Sequence, residues 1–238
     1  MQRYFVNEIK NDIVSLDKDQ LHHIKNVMRM KENDEITCVY NQEVYLCYVA
    51  NISPFEVKVK QKLDENHELK NKITLMYCLP KGEKLDLVVQ KATELGVYEI
   101  ILVQSSRCIA KITNENKDKK LARFNKIALE ASEQSKRNIV PTIKDVISYK
   151  DISKYHFDHQ YIAYENEDEI SFLNRISQIK ENESVCVLIG SEGGFSLEEV
   201  EYANKVGYTS ISLGKRILRS ETAVFYALSS LALVLEKD

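Results

Sequence analysis

Two stretches of the chain carry residues whose types and spacing suit chemistry. The first is VCVLIG-SEGG-FSLEE, residues 185–199. An apolar strand runs into Gly190, Ser191, Glu192, Gly193 and Gly194, and Ser196 with Glu199 then forms a capping-box pattern that starts a helix. Glycines at the end of a strand permit unusual dihedrals and let a ligand approach backbone N–H groups closely. The same sequence also serves as a tight strand-to-helix connection with no ligand. The second stretch is ISLGKRILRSETAVFYAL, residues 211–228. A strand ends at Gly214, and a loop carrying Lys215, Arg216, Arg219 and Glu221 enters the last helix. Two readings stay open. In one, Arg219 and Glu221 pair with each other, and the helix dipole favours the negative charge of Glu221. In the other, this loop faces the glycine turn and the two enclose one ligand. Both are strand-to-helix turns, so in a parallel sheet they lie on the same edge.

Other signatures are missing. GxGxxG does not occur, Gly214-Lys215-Arg216 lacks the frame of a P-loop, and there is no GxSxG nucleophile elbow. His156 and His159 lie three apart in a polar stretch and read as surface histidines, so no metal is expected. The five cysteines are odd in number and none has CxxC spacing, which points away from a zinc ribbon or a disulfide framework and toward a reducing compartment. The N-terminus lacks the apolar run of a signal peptide. The weakly polar run from Ala223 to Leu235 is too short to cross a bilayer. A cytoplasmic protein without a membrane partner is expected.

The 238 residues carry a formal charge of −3, with 33 Lys+Arg against 36 Asp+Glu. That average argues against a uniformly basic nucleic-acid binder. It conceals residues 103–144, where ten basic groups face four acids, an excess of six. Such a run is commonly a solvated face, and it is also what binding to a phosphate backbone requires.

The elements that must position these residues follow from periodicity. EITCVY, EVYLCYVANI and FEVKVKQKL read as strands, with turns at Asn41-Gln42 and Ser53-Pro54. DQLHHIKNVMRM has helical spacing, capped by Asp17 or Asp19. Residues 1–66 thus form a small, mostly β unit with one helix. All seven glycines lie at position 82 or later, so this unit must turn without them. DENHELKNK, residues 64–72, is polar and reads as a linker. Beyond it strands alternate with helices. ITLMYCLP, EIILVQ, HQYIAYE, SVCVLIG and TSISLG are strands; GEKLDLVVQKATELG, DKKLARFNKIALEASEQSKR, SLEEVEYANKVG and SETAVFYALSSLALVLEKD are helices. This alternation implies an α/β domain with a mostly parallel sheet. The expected domains are 1–68 and 73–238.

The stretches KGEKLDLVVQKATELGV, ARFNKIALEASEQSKRNIVP, LIGSEGGFS and LGKRILRSETA, in that order, closely resemble the RsmE family of bacterial 16S ribosomal RNA uridine-N3 methyltransferases, of the SPOUT superfamily. RYF at 3–5 and HHIKNVMRMKENDEI at 22–36 extend the resemblance over nearly the whole chain. One departure is Ser191, where the family's turn usually has proline. The resemblance implies an α/β SPOUT domain with a parallel sheet and a C-terminal trefoil knot, plus a small PUA-like N-terminal β-barrel. It also implies a homodimer, S-adenosylmethionine as cofactor, and 16S rRNA of the small ribosomal subunit as partner.

Matched residue by residue, it assigns the cofactor to Leu188, Ile189, Gly190, Glu192, Gly193 and Gly194, and to Leu213, Gly214, Ile217, Leu218 and Arg219. Arg219 would orient the base or stabilise its charge. Glu221 or Glu192 would accept its proton, although each could equally be a structural partner and water could suffice. RNA contact falls to Arg3, Arg29, Arg107, Arg123 and Arg137, whose planar guanidinium suits phosphate. Two alternatives stand beside this reading: a non-catalytic ribosome-assembly or RNA-binding factor, and a SPOUT methyltransferase with another RNA target.

Overall fold

Short Val-, Ile- and Tyr-rich runs near the N-terminus build one sheet, and the strand–helix alternation after residue 72 builds another. The computed structural model describes residues 1–82, 84–167 and 170–236. The expected helices that include Glu83 and the pair Lys237–Asp238 therefore reach outside the described residues at those positions. By contacts, the chain divides into two compact units. One comprises Met1–Glu68 with Ser132–Ile139, the other Leu69–Ala131 with Val140–Asp238.

In the first unit, β1 (Arg3–Phe5), β2 (Glu8–Lys10) and β3 (Ile13–Ser15) precede a short helix α1 (Lys18–His22), which continues as one π-helical turn to Val27. Then follow β4 (Glu35–Tyr40), β5 (Glu43–Ile52) and β6 (Phe55–Leu63). Their order in the sheet is β1-β4-β5-β6-β3-β2, antiparallel except for β1 beside β4. Asp17 caps α1 in a capping box with Gln20. The turns without glycine use Asn11-Asp12 and Asn41-Gln42, all four at positive φ, which matches the twist of two-residue hairpins. Tyr4, Ile24, Ile36, Cys38, Cys47, Val49 and Val57 form the core.

The stretch expected to be a linker is ordered, because its carboxylates meet guanidiniums. Arg3 bonds Glu65 at 2.6 Å, and the Arg137 Nε donates to both Glu68 oxygens at 3.2 Å. Asn138 donates its amide to the carbonyls of Gln42 and Glu65. Arg3 and Arg137 are both 3 % exposed, so they are internal struts of this unit and do not sit on a surface open to phosphate. Of the two, Arg137–Glu68 is the more deeply buried, and breaking a buried pair costs roughly 3–5 kcal/mol. Composition marked 64–72 as polar, and spacing had no means of showing partners 62 to 73 residues away.

The second unit holds β7 (Ile73–Cys78), α2 (Lys84–Glu94), β8 (Glu99–Gln104), α3 (Asn114–Gln134) up to Ala131, β9 (Thr142–Ser148) and a 3₁₀ turn at Tyr149–Lys154. It continues with β10 (His159–Ala163), α4 (Phe172–Ile176), β11 (Val185–Ile189), α5 (Leu197–Lys205), β12 (Thr209–Ile211) and α6 (Ser220–Leu235). The six strands are all parallel, in the order β12-β10-β11-β7-β8-β9. Every residue of β7 and β11 is buried, as central strands of a doubly covered sheet require. Leu85, Val88, Val89 and Ala92 of α2 lie in the core, and Gly96 at φ +85° ends the helix as expected. Val224, Ala227, Leu228, Leu231 and Leu235 bury one face of α6. The edge strand β9 was not anticipated, because Lys144 and Asp145 in TIKDVIS mask its alternation. The five cysteines are free and buried. Among the described residues no helix is long and apolar enough to cross a membrane.

Candidate active site

The sheet order places the site. The chain lays down β7, β8 and β9 outward, returns for β10, and then inserts β11 between β10 and β7. Carboxyl ends of parallel strands at such a reversal leave a crevice. Loops following β10, β11 and β12, with Lys84 at the start of α2, enclose a cavity of about 530 Å³. The two stretches singled out at the start therefore do wall one cavity, and the reading in which Arg219 pairs with Glu221 is not what forms.

The β11 wall is tightly tied. The Gly194 N–H donates to the Ser191 carbonyl at 3.0 Å, closing the turn. A Cβ on Gly190 would lie 3.2 Å from Gly194 backbone atoms, a tight contact against backbone that could yield only by shifting the turn. Gly194 is at φ +62°, in the left-handed region that glycine enters without cost. The loop after β8 braces the turn from behind. Arg107 Nη1 donates to the Gly193 carbonyl at 2.9 Å, while the Ser191 hydroxyl reaches the Arg107 carbonyl at 3.4 Å. Where the family's turn usually has proline, the Ser191 hydroxyl thus adds a contact of its own. Glu199, buried in the α5 capping box, also accepts from the Ser106 N–H at 2.7 Å.

Glu192 and Glu221 share one cation. Lys84 Nζ lies 3.0 Å from Glu192 Oε1 and 3.0 Å from Glu221 Oε2. The Lys81 N–H adds bonds to both Glu192 oxygens at 3.2 Å. Burial pushes each carboxyl up, but backbone N–H groups and Lys84 outweigh it, and both end below the usual range. Ser220, the first residue of α6, is buried and hydrogen-bonded to the Tyr77 hydroxyl at 2.9 Å. This contact pins the end of the second loop to β7.

The β12 wall is open. Gly214 is at φ +103° with nothing near an added Cβ. Lys215, Arg216 and Arg219 are exposed and have no side-chain partner among the described residues, and Ile217 is 81 % exposed. Arg219 is the N-cap residue of α6 without a side-chain cap bond, so its guanidinium is free at the cavity.

Of the residues assigned by resemblance, Ile189, Gly190, Glu192, Gly193, Gly194, Leu213, Gly214, Ile217, Leu218, Arg219 and Glu221 are brought together here, Glu221 through Lys84 and the others along the cavity wall. Leu188 is not. Strand alternation turns it into the core, fully buried and in register with Ile162 and Met76. Arg107 sits behind the glycine turn, Arg123 is ion-paired with Asp86, and Arg29 is exposed at positive φ. Sequence reasoning missed Lys84, although it lies in the KGEKLDL stretch, and Tyr164 and Glu165 after β10. AYE ends a plain strand, and only the sheet order reveals that it opens onto the cavity.

Comparison with known proteins fits this geometry. The family model of an RNA methyltransferase domain matches residues 67–232, and that of an RNA methyltransferase PUA domain matches residues 16–62. Ribosomal RNA small subunit methyltransferase E of Bacillus subtilis is 38 % identical over 98 % of this chain and 96 % of its own. The protein of that name from Mesomycoplasma hyopneumoniae is 37 % identical, over 96 % of this chain and 98 % of its own. The crystal structure of the Neisseria gonorrhoeae protein of that name, bound to S-adenosyl methionine, superposes with a TM-score of 0.86 at 27 % identity, covering 98 % and 97 % of the two chains. With a matching cavity-bearing domain, a matching N-terminal domain and relatives aligned end to end, the chain belongs to the ribosomal RNA small subunit methyltransferase E family.

Proposed function

We propose that this protein transfers a methyl group from S-adenosylmethionine to N3 of one uridine in the decoding region of 16S rRNA. The observation that carries the reading is that the β11 glycine turn and the β12 loop wall the same cavity. Its residues fit the cofactor. The turn closes on itself so tightly that a Cβ at Gly190 would press on the Gly194 backbone, and Ile189 and Leu218 give apolar lining for a nucleoside. When bound, S-adenosylmethionine supplies an electrophilic methyl group on a positively charged sulfur.

The protein's own residues must then position the base and manage its charge. Uridine N3 carries a proton, and its lone pair becomes a good nucleophile only as that proton leaves. Arg219, free at the cavity, is suited to hold O2 or O4 and stabilise the negative charge that develops there. Glu192 and Glu221 are poor proton acceptors, since both are held ionised by Lys84. Their work is to fix the two walls against α2, and the N3 proton passes to water. N3 normally lies in a base pair, so the target must be unpaired or turned out of its stack. The PUA-like unit and the exposed lysines of the 103–144 run, such as Lys111 and Lys119, supply the grip on the backbone. A knotted path through the C-terminal segments, pairing into a homodimer and a cytoplasmic location complete the reading, all from the family resemblance.

Mass spectrometry of 16S rRNA from a strain lacking the gene tests the proposal directly. Loss of the N3-methyl uridine in the decoding region is expected, and its persistence would exclude this target. Calorimetry separates the assembly-factor alternative, which predicts no binding of S-adenosylmethionine. Arg219→Ala should lower turnover at least tenfold with cofactor affinity within about twofold, as for a group acting mainly in the transition state.

A further inference from the structure

Two carboxylates line the cavity, Glu192 and Glu165, and a third, Glu221, is tied to it through Lys84; they are not equivalent. Glu192 and Glu221 are neutralised together by Lys84. Glu165, exposed in the loop after β10, has no hydrogen-bond or ion-pair partner among the described residues. Its position is nonetheless defined. Glu165 Oε1 lies 2.8 Å from where a Cβ on Gly194 would stand, so the carboxylate rests against the glycine turn and a side chain there would displace it. None of the cavity's cations lies within 4.0 Å of it, although Lys215, Arg216 and Arg219 are all free.

An uncompensated carboxylate at a binding cavity favours a cationic occupant over a neutral one of the same shape, because attraction between opposite charges is stronger where water is displaced. We propose that Glu165 is a specificity residue that distinguishes the sulfonium cofactor from the neutral thioether left after transfer. The inference rests on the methyltransferase reading above. In that reaction the methyl–sulfur bond breaks, sulfur keeps both electrons, N3 gains the methyl group, and the N3 proton goes to water. Substrate and spent cofactor therefore share adenine, ribose and amino-acid parts, and differ at sulfur by one methyl group and one unit of charge. A carboxylate that senses this charge tightens the pocket before transfer and loosens it afterward, which promotes exchange of spent cofactor for fresh.

The experiment is calorimetry on the full chain with S-adenosylmethionine and with S-adenosylhomocysteine, comparing wild type and Glu165→Gln. The variant should lose about tenfold in affinity for the first, equivalent to about 1.4 kcal/mol, and less than about twofold for the second. Equal losses for both would overturn the proposal, since Glu165 would then hold a part that both ligands share. Unchanged affinities would overturn it too. If Glu165→Gln melts as an unfolded protein, Glu165→Asp decides: it keeps the charge and must keep the wild-type preference. Failure of the wild-type protein to bind S-adenosylmethionine would sink the functional reading and this proposal together, whereas binding with an unaltered preference in the variant would sink only the proposal.

Discussion

The two walls of the cavity are built on opposite plans. The β11 wall is braced at Ser191, Glu192, Gly193 and Gly194 by Arg107, Lys81, Lys84 and its own backbone. From Gly214 to Arg219 the β12 wall has one backbone contact to a side chain, the Gly214 N–H to Ser212 Oγ at 3.3 Å, and exposes three cations. A ligand meeting the first wall finds its shape already set, which spares the entropy of ordering it. The second wall keeps its charges in water until a partner arrives. The braced wall is suited to a small molecule held in one pose, whereas on the second wall Leu218 still lines the same cavity and only the exposed cations Lys215 and Arg216 are suited to a polyanion.

The largest effect should come from disturbing the braced wall. Gly190→Val sets a branched side chain against the Gly194 backbone, which cannot yield as a flexible tip can. Overpacking should cost about 1–3 kcal/mol of stability, read as a lowered melting temperature, and S-adenosylmethionine affinity measured by calorimetry should fall as the turn is displaced. Next comes the open wall. Removing both cations in a Lys215→Ala, Arg216→Ala double variant should weaken RNA binding by about tenfold. It should also flatten the plot of log affinity against log salt by roughly 1.4 for a single-stranded target, with cofactor affinity unchanged. Loss of cofactor affinity instead would erase the division of labour.

A smaller effect concerns pH. Glu192 and Glu221 have folded-state pKa values below the ordinary 4.5, so they stabilise the fold fully above that value and lose their contribution as pH falls through the lowered ones. In Lys84→Met both carboxyls rise, and thermal stability should begin to fall at a higher pH than in wild type. Coincident pH curves would mean that Lys84 does not set their charge. The smallest change is expected from Ser191→Pro. Ring stiffness offsets the lost contact to Arg107, and affinity should stay within about twofold.

Much of the braced wall was legible in the sequence, because a glycine turn and a capping box are local patterns. The cavity itself was legible only as an inference from parallel topology. Lys84 and Glu165 were not, since they reach the site through the order β10-β11-β7 and no spacing records it. The basic run at 103–144 shows the opposite limit. Arg137 is indistinguishable from Arg123 by composition, yet one is buried against Glu68 and the other is a surface pair with Asp86. Charge type is written in the sequence, whereas the carboxylate that claims it is a property of the fold. Polarity misled at DENHELKNK for the same reason.

The strut between Glu68 and Arg137 also bears on how the chain is made. A ribosome that has emitted only the first 68 residues has not released everything the first unit contains. Until Ser132–Ile139 emerges, Arg3 lacks its carbonyl acceptors at Lys136 and Arg137, and Glu68 lacks its guanidinium. The N-terminal unit therefore cannot finish before more than half of the protein has been synthesised. A fragment cut at residue 68 would leave those polar groups without partners, and cutting at a domain boundary would remove part of the domain.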